Sequence, residues 1–187
     1  MADATNLRAL FTASFLSQQE RLAVAAEMAQ GERYPASATK DGAYAIVPHA
    51  RNANRVRIPA LWAGVIHDRL IEWMPRLSDH FGVALRNCQE PQFIAYSEGH
   101  FHRPHRDRGL RPEEPESVKY REVSAVIFLN PGEYEGGSLT FHEMGVPGSR
   151  LEIKGRPGVL VAFRSLALHE VTPVTRGERY SVACWFE

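Results

Sequence analysis

Hydrophobic spacing changes character along the chain at about residue 85. Before it, apolar positions recur at helical intervals. "SQQE" at 17–20 has the form of a capping box, in which Ser17 accepts a backbone N–H three residues on and Glu20 reaches back. Leu22, Ala25, Ala26 and Met28 follow, and Gly31 is placed to cap the C-terminus. Pro59 opens a second stretch, with Trp62, Val65, Ile66, Leu70 and Trp73 on one stripe that reads as core. Pro75 is expected to break this helix, leaving "RLSDHFG" as a short turn ending at Gly82. Residues 32–57 are mixed and small, which predicts a loop or irregular strands.

After residue 85, short β-branched and aromatic runs alternate with Gly, Pro, Asn and Asp: "PQFIAYS", "REVSAVIFLN", "SLTFHE", "RLEIKG", "GVLVAF" and "RYSVACWFE". Strands so short and so regularly punctuated predict a sandwich or barrel. The expectation is one α+β domain over 1–187, with helical support and loops in 1–84 and a β-rich core in 85–187.

Composition narrows the function classes. The chain has 187 residues, 44% of them hydrophobic, and 22 basic against 22 acidic side chains. That suits a sizeable core and gives no reason to expect a nucleic-acid or anionic-membrane partner. No apolar run reaches the length of a membrane span. "MADATNLRALFTASFL" lacks a basic start followed by an apolar block, so no secretion signal is expected. Cys88 and Cys184 read more simply as free thiols of a cytoplasmic protein than as one disulfide.

Candidate chemistry begins in "FHRPHRDRG", residues 101–109. In extended chain, side chains two apart share a face, so His105 and Asp107 point together, with His100 and His102 on the opposite parity. Gly99 and Pro104 are able to disturb that register. His169, in "LALHEVTPV" after the strand "GVLVAF", supplies a third ligand. Two imidazoles and one carboxylate form the facial triad of non-haem Fe(II) oxygenases, although zinc accepts the same donors. Ten residues on, Arg179 shares a strand face with Ser181, Ala183 and Trp185. Its guanidinium fork suits a carboxylate, and Ser181 adds a donor.

These blocks, "QFIAYSEGHFHRPHRD", "REVSAVIFLNPGEYEGGSLTF" and "GRPGVLVAFRSLALHEVTPVTRGERYSVACWF", resemble the Fe(II)/2-oxoglutarate-dependent dioxygenases, in the prolyl-4-hydroxylase-like branch. The resemblance covers most of 92–186. It implies a double-stranded β-helix, a distorted jelly roll with the N-terminal helices packed against it. It further implies that His105, Asp107 and His169 bind Fe(II), and that Arg179 grips the distal carboxylate of 2-oxoglutarate. Tyr96 matches a tyrosine lining that pocket, and the face carrying Ser124, Val126 and Phe128 turns inward around the cosubstrate. Several relatives have a tyrosine where this chain has Phe128, so Ser181 is the expected substitute donor. The implied reaction consumes O2, releases succinate and CO2, and hydroxylates an aliphatic carbon of a peptidyl residue or amino-acid-like small molecule. Asp107 favours hydroxylation over halogenation, which needs that position free for halide.

Two other classes compete. A non-redox zinc enzyme or binding protein of cupin-like fold would not need the Arg179–Ser181 clamp, and a silent binding module would not need an intact triad. His142 is expected to be satisfied by a strand neighbour, and His49, His67 and His80 have no converging spacing. Gly136–Gly137 suggests a tight turn or close backbone approach. Arg103, Arg106, Arg108 and Arg111 are offset by Glu113, Glu114 and Glu116. The segment 108–121, with Gly109, Pro112 and Pro115 and no apparent apolar anchor, is expected to be mobile, as a lid or a bare connector.

Overall fold

Ser17 and Glu20 close the capping box, the Glu20 amide donating to Ser17 Oγ (3.2 Å) and the Ser17 amide to Glu20 Oε2 (2.8 Å). They start α1 (Gln18–Gln30), which buries Val24 and Met28. The computed structural model describes residues 9–143 and 147–187; the first half of the N-terminal stretch read for a secretion signal, residues 1–8, lies outside them. Gly31 ends α1 in extended rather than left-handed backbone. Its role is close approach, because a Cβ there would lie 2.6 Å from Val56 Cγ1.

Pro75 does not break the second helix, contrary to expectation: α2 (Ala60–Phe81) is continuous and stops at Gly82. A proline inside a helix costs about 3 kcal/mol. Pro75 itself is exposed, while Leu77 and Phe81 beyond it continue the buried stripe of Ile66 and Leu70. Burying two such side chains contributes about 1.5–3 kcal/mol each, enough to offset the lost hydrogen bond.

The strands are β1 (Leu10–Ser14), β2 (Arg33–Pro35), β3 (Ala38–Lys40), β4 (Ala43–Ala45), β5 (Arg51–Asn52), β6 (Asn54–Val56), β7 (Gln92–Tyr96) and β8 (Phe101–His105). After α3 (Glu116–Lys119) come β9 (Val123–Phe128), β10 (Tyr134–Gly136), β11 (Leu139–His142), β12 (Arg150–Ile153), β13 (Val159–Arg164), β14 (His169–Val171), β15 (Val174–Gly177) and β16 (Arg179–Phe186). The larger sheet runs β1-β13-β9-β16-β7-β6-β2 and the smaller β12-β11-β14-β8-β5; β10 pairs with β15 and β3 with β4. This is a double-stranded β-helix. The N-terminal half is more than helical support, because β1, β2, β5 and β6 extend both sheets. Each is five residues or shorter; β1, β5 and β6 pair with edges built by β13, β8 and β7, and β2 adds onto β6.

Alternation divides the larger sheet cleanly. On β16, Tyr180, Val182, Cys184 and Phe186 join Val123, Ala125 and Ile127 of β9 against Val24, Met28, Ile66, Leu70 and Leu77 of the helices. The opposite face carries Arg179, Ser181, Ala183 and Trp185 into the space between the sheets. Helix burial thus fixes the register of the site residues, since a one-residue slip would exchange the two sets. Cys88 and Cys184 are both free and buried, with Sγ atoms 3.3 Å apart.

The expectation that 108–121 lacks an anchor is overturned. Val118 on α3 is buried, its carbonyl accepts from the Gly109 amide, and Ser117 contacts Tyr44 through its hydroxyl (2.8 Å) and Gln89 through its carbonyl (2.6 Å). One valine is enough because the polar backbone around it is also bonded.

Candidate active site and metal centre

His105 closes β8, and Asp107 sits in the bend just after it, where the Asp107 and Arg108 amides both donate to Ser165 O (3.0 and 3.1 Å). His169 opens β14 directly opposite His105. Both imidazoles approach Asp107 through Nε2, at 3.5 Å to its Oδ1 from His105 and 3.5 Å to its Oδ2 from His169. One ligating atom from each of the three lies within 4.8 Å of the others. His105 Nδ1–H donates to Arg103 O (2.8 Å) and His169 Nδ1–H to Ala167 O (2.9 Å). A carbonyl only accepts, so both Nδ1 atoms carry the proton and both Nε2 lone pairs face the cluster.

Electrostatics agree with a cation site. Burial pushes His169 down to about 4, with His105 adding to the effect. Burial alone would raise the Asp107 carboxyl, but His169, His105 and a hydrogen bond from Ser124 hold it well below the usual range. A neutral imidazole at His169 and an ionised carboxylate at Asp107 are forms that ligate a divalent metal.

His102 is where strand parity misled. His169 pairs with His105, yet Val171 pairs with His102, three residues against two. A bulge at Arg103–Pro104 therefore brings His102 onto the triad's face, its ring stacked 3.5 Å from that of His105 at 22°. Pro104 was the available signal, because proline cannot donate to a ladder and marks bulges.

At the other end of the pocket Arg179 is 1% exposed, its guanidinium 4.9 Å from the Tyr96 ring and 5.4 Å from the Phe128 ring. Its Nη1 donates to Ser181 Oγ (2.9 Å), and its Nε has no partner among the described residues. Phe128 thus gives Arg179 an aromatic face in place of a hydroxyl donor. Tyr134, which sequence reasoning passed over, points a buried hydroxyl into the same region, where burial raises its pKa and Arg179 opposes that rise. Gly137, at φ 58°, is required here, because a Cβ would sit 3.0 Å from Arg179 Cδ and 2.9 Å from Val174 Cγ2. Ser124 lies at the triad end, bonded to Ser165 Oγ (2.8 Å) and assisting Asp107, away from the Arg179 end of the pocket.

The remaining polar candidates are structural. His142 Nε2 meets Glu170 at 3.1 Å, and His67 Nε2 meets Cys88 O at 3.1 Å. Among the described residues no helix is long and apolar enough to cross a membrane.

A double-stranded β-helix holding two histidines and a carboxylate between its sheets is the architecture of a non-haem metal oxygenase. The family model of the 2OG-Fe(II) oxygenase superfamily matches residues 91–187, and the chain belongs to that superfamily. Membership brings Fe(II), 2-oxoglutarate and O2, and the donor set at the triad fits Fe(II). The chain is 38% identical over 97 residues to a PKHD-type hydroxylase of Gluconacetobacter diazotrophicus, covering 51% of this chain and 41% of that one. It is 34% identical over 124 residues to a PKHD-type hydroxylase of Cupriavidus pinatubonensis, covering 64% and 53%. These alignments span about half the length of the curated relatives. A Pseudomonas putida prolyl-4-hydroxylase structure superposes with a TM-score of 0.74 at 28% identity, covering 96% of this chain and 92% of that one. A Trichoplax adhaerens prolyl hydroxylase gives the same TM-score at 18% identity over 97% and 84%, a likeness of fold.

Proposed function

We propose that the chain is a 2-oxoglutarate-dependent hydroxylase in which His105, Asp107 and His169 hold Fe(II) while Arg179 and Ser181 receive the distal carboxylate of 2-oxoglutarate. One observation carries the reading: the three converging ligands and the buried, incompletely partnered arginine line a single pocket. Iron bound there supplies O2 activation coupled to decarboxylation of 2-oxoglutarate to succinate and CO2, and so the oxidant for an aliphatic C–H bond.

The protein's own work is positional. Arg103 O and Ala167 O fix the imidazole tautomers, and Ser124 orients Asp107. Tyr96 and Phe128 exclude water around the Arg179 guanidinium, so a carboxylate arriving there meets a charged donor at low local dielectric. Ser37, Thr39 and Tyr44, on and around the β3–β4 hairpin, line the outer part of the pocket where a substrate would enter.

A prolyl group in a peptide is the first substrate to test, supported by the 28% identity to a prolyl-4-hydroxylase over nearly the whole chain. A free amino-acid-like molecule is the second. Two unpaired thiols support a cytoplasmic setting. The test is a screen of prolyl peptides and free amino acids read as substrate-stimulated succinate formation with Fe(II). No stimulation above the uncoupled rate by any prolyl compound would remove the prolyl reading.

A further inference from the structure

Several arginines outside the pocket sit on carboxylates, among them Arg33 on Glu178, Arg69 on Glu20 and Arg108 on Glu122. Those lining the pocket do not. Its charged side chains are five arginines, at 51, 103, 106, 121 and 179, against Asp107 and Glu114. A divalent metal and a dianionic cosubstrate cancel one another, so the excess of positive charge persists when both are bound. Arg179 is accounted for by 2-oxoglutarate. Among the described residues none of the other four has a carboxylate oxygen within 4.0 Å.

Arg51 is the informative one. It is 9% exposed and faces His102 across the β5–β8 pairing, and the His102 ring stacks on the ligand His105. Its Nη1 donates to Ser37 O at 2.8 Å. Its Nε is buried without a partner, and no hydrogen bond from Nη2 is formed among the described residues. Nε–H and Nη2–H make up the edge of a guanidinium that takes a carboxylate with two parallel bonds. A buried cation with that edge open and no counter-charge is costly unless something else completes it.

We propose that Arg51 is a second carboxylate-binding residue, separate from Arg179, which takes an anionic group of the primary substrate. The inference rests on reading the pocket as a hydroxylase site and adds the substrate's charge class. The anion is either the free carboxylate of a small molecule or an acidic side chain beside the reacting residue of a peptide. The neutral lining at Ser37, Thr39 and Tyr44 leaves Arg51 as the buried charged contact on that side of the entrance.

The test uses the full chain loaded with Zn(II) and 2-oxoglutarate, which occupies the triad and Arg179 with a diamagnetic, unreactive complex. The Arg51 Nε–H resonance, identified by its loss in Arg51→Lys, is followed while acetate or acetamide is added. Acetate should shift it saturably and acetamide should not. N-acetyl-L-proline should then bind about tenfold tighter than N-acetyl-L-prolinamide if the anion is a terminal carboxylate. An acetyl-Asp-Pro-amide peptide should beat its Asn counterpart by a similar margin if it is a side chain. Arg51→Gln should bring whichever pair shows the preference to within about twofold, and Arg51→Lys should retain part of it. Affinity for 2-oxoglutarate should be unchanged in both variants, which also reports that they fold. No acetate response at Arg51, or an anion preference that survives Arg51→Gln, overturns the proposal. An acetate response with no binding of any prolyl probe supports the anion site and counts against the prolyl substrate instead.

Discussion

The two ends of the pocket are built on different plans. At the triad, each imidazole gives its Nδ1 proton to a backbone carbonyl and turns its remaining lone pair on the cluster. Around Arg179 the walls are rings, one hydroxyl accepts from the guanidinium, and the Nε finds no partner among the described residues. The first end is held by backbone on the smaller sheet; the second is held by packing on the larger sheet, backed by the helices. Metal binding and cosubstrate binding should therefore fail separately.

The largest separation comes from the ligands. His169→Ala or Asp107→Ala should lose stoichiometric Fe(II) and bring succinate formation to background, while far-UV circular dichroism stays that of the wild type. Retained metal in either variant would place the site elsewhere. Next is the clamp. Arg179→Ala should leave metal content unchanged and weaken 2-oxoglutarate by about 2–4 kcal/mol, the cost of breaking a charge-assisted bond in a dry site. Ser181→Ala should weaken it by about 0.5–1.5 kcal/mol, a single neutral bond, and calorimetric titration separates the two. Gly137→Ala probes the Arg179 end without removing a polar group. Its methyl would press on Arg179 Cδ, so it should raise the 2-oxoglutarate dissociation constant by about tenfold, roughly 1.4 kcal/mol, with metal content intact. An unaltered dissociation constant would mean that Arg179 is not held as tightly as its packing indicates.

The smallest effect comes from beside the clamp. Glu178 precedes Arg179 and is bonded to Arg33, Tyr180 and Ser97. Burial opposes its ionisation, but those three partners bring its pKa down from 4.5 to about 2. The folded value lies below the unfolded one, so the stabilisation is complete above pH 4.5 and is lost as pH falls from there towards 2. Glu178→Gln should cost about 1 kcal/mol at pH 7, because the ion pair is partly exposed, and should flatten the acid limb of the stability curve. Equal acid sensitivity in both proteins would assign that limb to other carboxylates.

How much of this was legible follows from where each element gets its stability. β7, β9, β11, β13 and β16 were readable because their own β-branched and aromatic residues alternate between two buried faces. β2, β5 and β6 were not, being two or three residues each: β5 and β6 pair because β8 and β7 offer an edge, and β2 because β6 is then in place. Pro75 reads as a breaker when judged locally, and only the burial of Leu77 and Phe81 shows why the helix continues. Within the site, His105, Asp107, His169, Arg179 and Ser181 were visible as residue types at strand spacing. His102 was hidden by a bulge, Tyr134 by opening the three-residue strand β10, and Arg51 by lying on a strand that the sequence does not announce.

The most direct test is an anaerobic titration of the Fe(II)-loaded protein with 2-oxoglutarate, followed by visible absorption. A weak charge-transfer band should develop in the wild type. In Arg179→Ala it should appear only at much higher 2-oxoglutarate, and in His169→Ala it should be absent. A band that forms in His169→Ala, or that titrates identically in Arg179→Ala and the wild type, would contradict the assignment of metal and cosubstrate to the two ends of this pocket.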